Sequence, residues 1–137
     1  REGDNIVMII TEYVEGGDLR RLLCETQAPL GWKLRCEIMM RTAGALKYLH
    51  ECDIIHRDIK TENVLLTSDF TPKLCDFGFA RKIDRSKQMT MCGTDEYMAP
   101  EIIFGMKYDE KADVYSYGMM LVELFSRKIP SNEDFLN

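Results

Sequence analysis

The chain has 137 residues, of which 45% are hydrophobic and 30% charged, and its formal net charge at pH 7 is −5. This composition is that of an ordinary globular chain, and the acidic balance argues against a nucleic-acid partner, which needs a clustered basic face. No apolar run reaches the roughly 18 residues of a membrane-spanning helix, so no span is expected in this segment.

Five cysteines are scattered along the chain, at Cys24, Cys36, Cys52, Cys75 and Cys92. No two of them have CxxC spacing, and neither histidine lies at a ligand spacing from a cysteine pair. We therefore expect reduced thiols rather than a disulfide framework or a zinc site. Reduced thiols are typical of the cytosol or nucleus, and a cytoplasmic location is the prediction.

The first predicted elements are a strand and two helices. Residues 6–10 form a β-branched apolar run, which predicts a buried strand. After the break at Gly16 and Gly17, Asp18 is placed to cap a short helix over residues 19–24. A helix of about five turns is predicted over residues 32–51 from apolar residues at helical spacing. These residues are Leu34, Ile38, Ala45, Leu46 and Leu49.

The second half of the chain predicts short strands, a long loop and one more helix. Apolar pieces at 53–55, 64–66 and 73–75 are separated by turn residues, as in small hairpins. Residues 79–98 have weak periodicity, and a loop of this length is usually functional or mobile. Residues 111–126 predict a helix that is apolar nearly all round and hence buried. Its expected apolar stripe is Val114, Tyr117, Met120, Leu121 and Leu124.

Three motifs occur in a fixed order. Residues 56–63 have the pattern HRDxKxxN, residues 76–78 are Asp-Phe-Gly, and residues 93–101 read GTDEYMAPE. Each alone has a structural explanation, as a surface charge cluster or a simple turn. In this order and on these elements, they resemble the eukaryotic protein-kinase family over essentially the whole chain. The resemblance implies an α+β, protein-kinase-like fold with a mainly helical C-lobe and short β hairpins.

The resemblance also implies how the chain divides. Residues 1–14 correspond to the end of the N-lobe and the hinge, and residues 15–137 to an incomplete C-lobe. The chain begins with Arg1 rather than Met, and no Gly-rich loop, strand lysine or helical glutamate partner precedes the hinge. We therefore expect a partial kinase domain with most of its N-lobe missing. By itself such a segment is expected to bind ATP weakly and to have little or no activity.

The catalytic residues follow from the chemistry and from the resemblance. Phosphoryl transfer needs in-line positioning of a hydroxyl and neutralisation of phosphate charge. Asp58 is the candidate that accepts the substrate hydroxyl proton, and Lys60 is placed to contact the transferring phosphate. Asn63 and Asp76 offer oxygen ligands of the kind that Mg²⁺ prefers. In similar Ser/Thr kinases, Thr94 bridges the aspartate and the lysine.

Three further polar residues near these motifs have structural explanations. His56 invites a general-base role, but the resemblance implies that it packs against Phe77. His50, at a helix end, is also interpreted as structural. Asp113 looks like the residue that hydrogen-bonds the catalytic-loop backbone, and a buried carboxylate needs such partners.

The nucleotide site is assigned by the resemblance, with ATP and Mg²⁺ as the implied cofactors. The stretch from Thr11 to Val14 resembles the hinge, with Thr11 as gatekeeper and the backbone of Glu12 and Val14 available to the adenine edge. Leu65 resembles the apolar floor under the adenine ring. Asp18 is a candidate for the ribose hydroxyls, although helix capping explains it equally well.

Regulation is predicted from Arg57, which directly precedes Asp58 and carries uncompensated charge. Kinases of this kind are switched by phosphorylation of the activation segment, and Thr90 stands at the corresponding position, with Ser86 as runner-up. Arg81 is the candidate for a second guanidinium. A phosphate adds about −1.5 to −2 charge and would turn repulsion between the cations into ordering contacts. A merely solvated Thr90 is the alternative.

The function predicted for the parent protein is transfer of the ATP γ-phosphate to Ser or Thr of a protein substrate. Lys60 and Thr94 favour Ser/Thr specificity, and residues 113–124 resemble a helix of tyrosine-kinase-like Ser/Thr kinases. Dual specificity stays open. The other hypotheses are a pseudokinase or scaffold, against which the intact motifs argue, and a natural truncation acting as an interaction module. The sequence leaves the oligomeric state open.

Overall fold

The computed structural model describes residues 8–25, 30–84, 86 and 89–130. Its helices are α1 (Leu19–Glu25), α2 (Trp32–Glu51), α3 (Pro100–Ile103) and α4 (Lys111–Ser126). Its strands are β1 (Ile54–Ile55), β2 (Val64–Leu66), β3 (Pro72–Leu74) and β4 (Arg81–Lys82). Single 3-10 turns occur at Thr61–Asn63 and Asp95–Tyr97.

The two N-terminal helices form as predicted. The Asp18 carboxylate accepts a 2.8 Å hydrogen bond from the Arg21 amide, which caps the first turn of α1. Helix α2 has the predicted bounds and buries Ile38, Thr42 and Leu46. It ends at Cys52, whose amide bonds to two carbonyls of the last turn, and Asp53 reverses the chain at φ 56°. This reversal leads directly into β1.

The strands hold the segments that carry the motifs. Strands β2 and β3 form the predicted antiparallel hairpin, with Val64 opposite Leu74. Strand β1 pairs instead with β4, Ile55 opposite Arg81, inside the stretch that was predicted to be loop. Two-residue strands carry no alternation, and Arg-Lys has no strand preference, so the sequence could not show this pairing. Residues 56–63 therefore connect β1 to β2, and residues 75–80 connect β3 to β4.

Helix α4 has the predicted bounds but buries a different face. The buried residues are Ala112, Asp113, Ser116, Met119, Met120, Glu123 and Leu124. Val114, expected in the stripe, is 49% exposed, and Val122 is also exposed, so the helix is not buried all round. The reason is that three polar residues of α4 make buried hydrogen bonds, which decide its orientation and which hydropathy alone does not reveal. The Arg35 guanidinium bonds the Leu124 and Phe125 carbonyls at the helix end.

The strand predicted over residues 6–10 is not found in the part that the structure describes. Ile6 and Val7 lie outside the described residues, while Met8, Ile9 and Ile10 form no strand and are 79–90% exposed. A strand needs a neighbour for its backbone hydrogen bonds, and no described strand pairs with these residues. The prediction of burial was therefore wrong for residues 8–10.

The main core joins α1, α2, β2 and α4. Its fully buried side chains include Leu19, Ile38, Val64, Met120 and Leu124. A smaller cluster packs α3 against the start of α4. All five cysteines are free thiols. None of the helices in the described ranges has the length and hydropathy that crossing a bilayer requires.

Candidate active site

The connection between β1 and β2, residues 56–63, is called the HRD loop below. Its backbone is anchored by Asp113 of α4, which is 1% exposed. The two carboxylate oxygens accept 2.8 Å hydrogen bonds from the amides of His56 and Arg57, and one of them also lies 2.9 Å from His50 Nε2. Arg57 has φ 68°, a left-handed conformation that the two anchored amides stabilise. The predicted roles of Asp113 and His50 agree with these contacts.

His56 connects the HRD loop to the Asp-Phe-Gly segment. Its ring lies 5.0 Å from the ring of Phe77, and its Nε2 is 3.0 Å from the Cys75 carbonyl oxygen. The ring is completely buried. These contacts match the predicted packing role and leave His56 without access to a substrate.

Asp58, Lys60 and Thr94 form a closed triangle of polar contacts. The Thr94 hydroxyl donates to Asp58 Oδ1 at 2.8 Å and accepts from Lys60 Nζ at 2.8 Å. Lys60 Nζ lies 3.2 Å from Asp58 Oδ2. The Asp58 side chain is 5% exposed, so the lysine charge also offsets the cost of burying the carboxylate. The triangle joins the HRD loop to residues 93–101 and orients the carboxylate.

Gly93 brings the two segments close enough for this triangle. It has φ 120°, and a Cβ added to it would lie 2.9 Å from the Arg57 carbonyl oxygen. A backbone approach of this kind leaves room only for hydrogen. Glycine is therefore required beside Thr94 both by conformation and by space.

Asn63 also contacts Asp58, a contact that the sequence did not predict. Its Nδ2 donates to the Asp58 carbonyl oxygen at 2.8 Å and to Oδ2 at 2.9 Å. These bonds fix which way the amide faces, because its nitrogen is turned toward Asp58. Its Oδ1 accepts no hydrogen bond from any described residue and stays available to a ligand.

A backbone hydrogen bond brings the segment of Asp76 next to Asn63 in space. The Cys75 amide bonds to the Asn63 carbonyl at 3.0 Å, and Asp76 follows in a left-handed conformation with φ 56°. Its carboxylate is exposed and accepts from the Gly78 amide at 3.2 Å. In the described residues no cluster of three or more His, Cys, Asp or Glu could hold a metal by itself. One carboxylate and one amide oxygen fit Mg²⁺, which completes its shell with phosphate and water.

A cleft of about 620 Å³ lies beside these residues. Five predicted nucleotide residues line it: Thr11, Glu12, Val14, Leu65 and Asp76. Lys60, Asn63 and Asp18 are not part of its wall; the Asp18 carboxylate caps α1. Sequence reasoning missed Lys73 and Cys75, which also line the cleft. Lys73 pairs with Glu12, and burial, with the nearby charges of Asp76 and Asp18, raises the pKa of the Cys75 thiol.

The predicted regulatory residues are only partly brought together. Arg57 is 6% exposed, and its guanidinium donates to the Phe79 carbonyl at 2.6 Å and to the Tyr108 hydroxyl at 3.2 Å. The Tyr108 hydroxyl donates to the Thr90 carbonyl at 2.7 Å, so Thr90 lies next to Arg57. No carboxylate in the described part of the chain forms an ion pair with Arg57. Arg81 is exposed on β4, opposite Ile55, and its regulatory role stays a prediction.

A buried polar network lies behind the triangle and was also missed. Glu123 of α4, 1% exposed, accepts hydrogen bonds from the hydroxyls of Thr61 and Tyr97 and pairs with Arg20. Burial, and then the bond to Glu123, raise the pKa of Tyr97. The sequence signal was the charged Glu123 within the mostly apolar second half of α4.

Comparison with known proteins identifies the family. The model of the protein kinase domain matches residues 1–135. The chain is 45% identical over 95% of its length to the probable serine/threonine-protein kinase kinX of Dictyostelium discoideum, covering 12% of that protein. It is 49% identical over 89% of its length to the RasGEF domain-containing serine/threonine-protein kinase X of the same organism, covering 13% of it. The chain thus spans about an eighth of the length of each of these two relatives.

These matches agree with the architecture described above. The helix-rich fold with short antiparallel strands is the kinase-like α+β fold that the sequence predicts. The motif residues occur on the connections between those strands and before α3. The chain therefore belongs to the protein kinase domain family.

Proposed function

We propose that the protein containing this chain is an ATP-dependent protein kinase that phosphorylates serine or threonine. The observation that carries the proposal is the Asp58 carboxylate, oriented by Lys60, Thr94 and Asn63. The three polar partners fix the orientation of this carboxylate, which is the group that would accept the proton of the substrate hydroxyl. The relatives of this chain named above are called serine/threonine-protein kinases, which supports the same assignment.

In the proposed reaction, a substrate hydroxyl oxygen attacks the γ-phosphorus and the bond to the bridging oxygen of ADP breaks. The hydroxyl proton passes to Asp58, which orients the attacking oxygen. Lys60 contributes positive charge beside that carboxylate and would contact the transferring phosphoryl group. Thr94 holds the two side chains in register, so catalysis here is positioning and electrostatic stabilisation.

The proposed nucleotide site is the 620 Å³ cleft. Backbone groups at Glu12 and Val14 would bind the adenine edge, with Thr11 beside it and Leu65 beneath the ring. Asn63 Oδ1 and the Asp76 carboxylate would ligate Mg²⁺, which neutralises phosphate charge when bound. A role for Asp18 at the ribose competes with its role as helix cap.

Substrate specificity, kinase group and cellular location are proposed from further features of the chain. The bond between Lys60 and Thr94 supports Ser/Thr transfer, because the resemblance gives these two residues that bridging role in Ser/Thr kinases. The sequence of α4 supports membership of the tyrosine-kinase-like group. The free thiols support a cytoplasmic location, and the acidic net charge supports a protein substrate rather than a nucleic-acid partner.

The test is transfer of phosphate from Mg²⁺-ATP to a generic basic protein by the full-length protein and its Asp58→Asn variant. We expect phosphoserine or phosphothreonine, abolished by chelation, and a rate lower by about 10²–10⁴-fold in the variant. Asp53→Asn is the matched control, since Asp53 is exposed in a left-handed turn that Asn also tolerates. A wild-type protein that binds ATP but transfers nothing would be a pseudokinase.

A further inference from the structure

Glu123 is a buried carboxylate that the proposed reaction does not use. Its Oε2 accepts a hydrogen bond of 2.8 Å from the Thr61 hydroxyl and another from the Tyr97 hydroxyl. Its Oε1 lies 3.2 Å from Arg20 Nε, in an ion pair. Burying a carboxylate costs free energy unless it is paired and hydrogen-bonded, so these partners offset the cost of burying Glu123.

The two hydroxyl partners come from the two segments that meet at the reaction centre. Thr61 stands three residues after Asp58 in the HRD loop, and Tyr97 stands three residues after Thr94. Each is close to its catalytic neighbour in the fold, because Thr61 opens the 3-10 turn after Lys60 and the Tyr97 amide bonds to the Thr94 carbonyl at 2.9 Å. One oxygen of the Glu123 carboxylate therefore links the segment that carries Asp58 to the segment that carries Thr94.

Arg20 of α1 completes this network from the surface side. Its guanidinium donates to the Tyr97 hydroxyl at 2.9 Å and pairs with Glu62 at 3.1 Å, as well as with Glu123. Its side chain is 23% exposed, whereas Glu123 and Tyr97 are almost fully buried. Among the described residues, Arg20 is the only cation that pairs with Glu123.

We propose that Glu123 and Arg20 are positioning residues for phosphoryl transfer. The pair fixes Thr61 relative to Tyr97, and this fixes the HRD loop relative to residues 93–101 and so aligns Asp58 with Thr94. The inference rests on the proposed kinase function. A buried ion pair contributes little net stability compared with apolar packing. What the Glu123 carboxylate does provide is a common hydrogen-bond acceptor for two segments, which fixes their relative position. Its effect is therefore expected on the rate of transfer more than on nucleotide binding.

The mildest test substitution is Thr61→Val, because valine keeps the shape of threonine and removes only the hydroxyl. In the full-length protein, we expect kcat to fall about tenfold or more with the KM for ATP within about twofold, since small misplacements are costly in the transition state. Thr61→Ser keeps the hydroxyl and should restore most of the rate. A purely structural role would instead lower thermal stability and leave kcat per folded molecule unchanged.

The ion pair itself is tested by Arg20→Met, Glu123→Gln and the double variant. Each single change should lower kcat, and the losses should not add in the double variant, because both changes break the same link. Arg21→Met is the matched control: it removes a neighbouring arginine of α1 whose partner, Glu25, is exposed. This control should behave as wild type.

The outcomes separate this inference from the proposed function. An active wild-type protein whose Thr61→Val, Arg20→Met and Glu123→Gln variants fold and keep the wild-type kcat overturns the positioning role alone. A wild-type protein that binds ATP without transferring phosphate overturns both. Losses of kcat that serine restores at position 61, with Arg21→Met unaffected, support the inference.

Discussion

The Thr94 hydroxyl donates a 2.8 Å hydrogen bond to Asp58 Oδ1 while it accepts one of equal length from Lys60. Replacing Thr94 by valine keeps its shape and removes both bonds. Because hydrogen bonds to charged groups contribute about 1.5–3 kcal/mol, we expect kcat to fall about 10- to 100-fold. Steady-state kinetics of the full-length protein checks this.

Thr94→Ser is the control for that prediction, since serine keeps the bridging hydroxyl. It should retain most of the activity. If the valine variant phosphorylates substrate as fast as the serine variant, the bridge has no role in positioning Asp58.

Asp113 is predicted to be a determinant of stability. Asp113→Ala would leave the amides of His56 and Arg57 buried without acceptors, and each orphaned donor costs about 1–3 kcal/mol. We expect the free energy of unfolding to fall by about 2–6 kcal/mol, measured by denaturant titration. Glu51→Ala, which breaks an exposed pair with Lys47, should change it by less than about 1 kcal/mol. Equal losses in the two variants would contradict this.

Thr90 is predicted to be the activating phosphorylation site. Its carbonyl bonds to Tyr108, which in turn contacts Arg57, so a phosphate on its side chain would find a guanidinium with no carboxylate partner among the described residues. We expect Thr90→Ala to lose activity and Ser86→Ala to keep it, because the Ser86 hydroxyl is bound to Asp84. Phosphopeptide mapping of the active full-length protein identifies the modified residue. Full activity of Thr90→Ala would exclude this site.

Cys75 is predicted to react slowly with alkylating reagents at neutral pH. Burial, reinforced by the charges of Asp76 and Asp18, raises the pKa of its thiol above the usual 9.0, so the reactive thiolate is scarce. The alkylation rate should keep rising with pH beyond that usual value, and ATP should slow it because Cys75 lines the cleft. Site-resolved mass spectrometry gives these rates, with exposed Cys24 as internal reference. Alkylation of Cys75 at the rate of Cys24, unaffected by ATP, would be the contrary result.

The sequence predicted elements best where a long periodic pattern was present. Helices α2 and α4 have the predicted bounds, because each holds several turns of apolar residues. The pairing of β1 with β4 could not be predicted, since two-residue strands contain no period. The exposure of Val114 was missed because the face of α4 is decided by bonds of Asp113, Ser116 and Glu123.

The same distinction applies to the candidate site. Motif spacing indicated Asp58, Lys60 and Thr94, and the structure places them in contact. Contacts between distant positions, such as Arg20 with Glu123, have no local pattern and appear only once the chain is folded. Arg81 lies exposed on β4 opposite Ile55, and its regulatory role, suggested by its position after Asp76, stays a prediction.

The close approach at Gly93 has an evolutionary consequence. A single methyl group there would press on the Arg57 carbonyl and wedge the two segments apart next to Thr94. Gly93 carries no chemistry, and neither Asp58 nor Lys60 would be altered. One small mutation at this position would therefore disturb the alignment of Asp58 with Thr94 in a descendant while leaving both side chains, and Lys60, unchanged in its sequence.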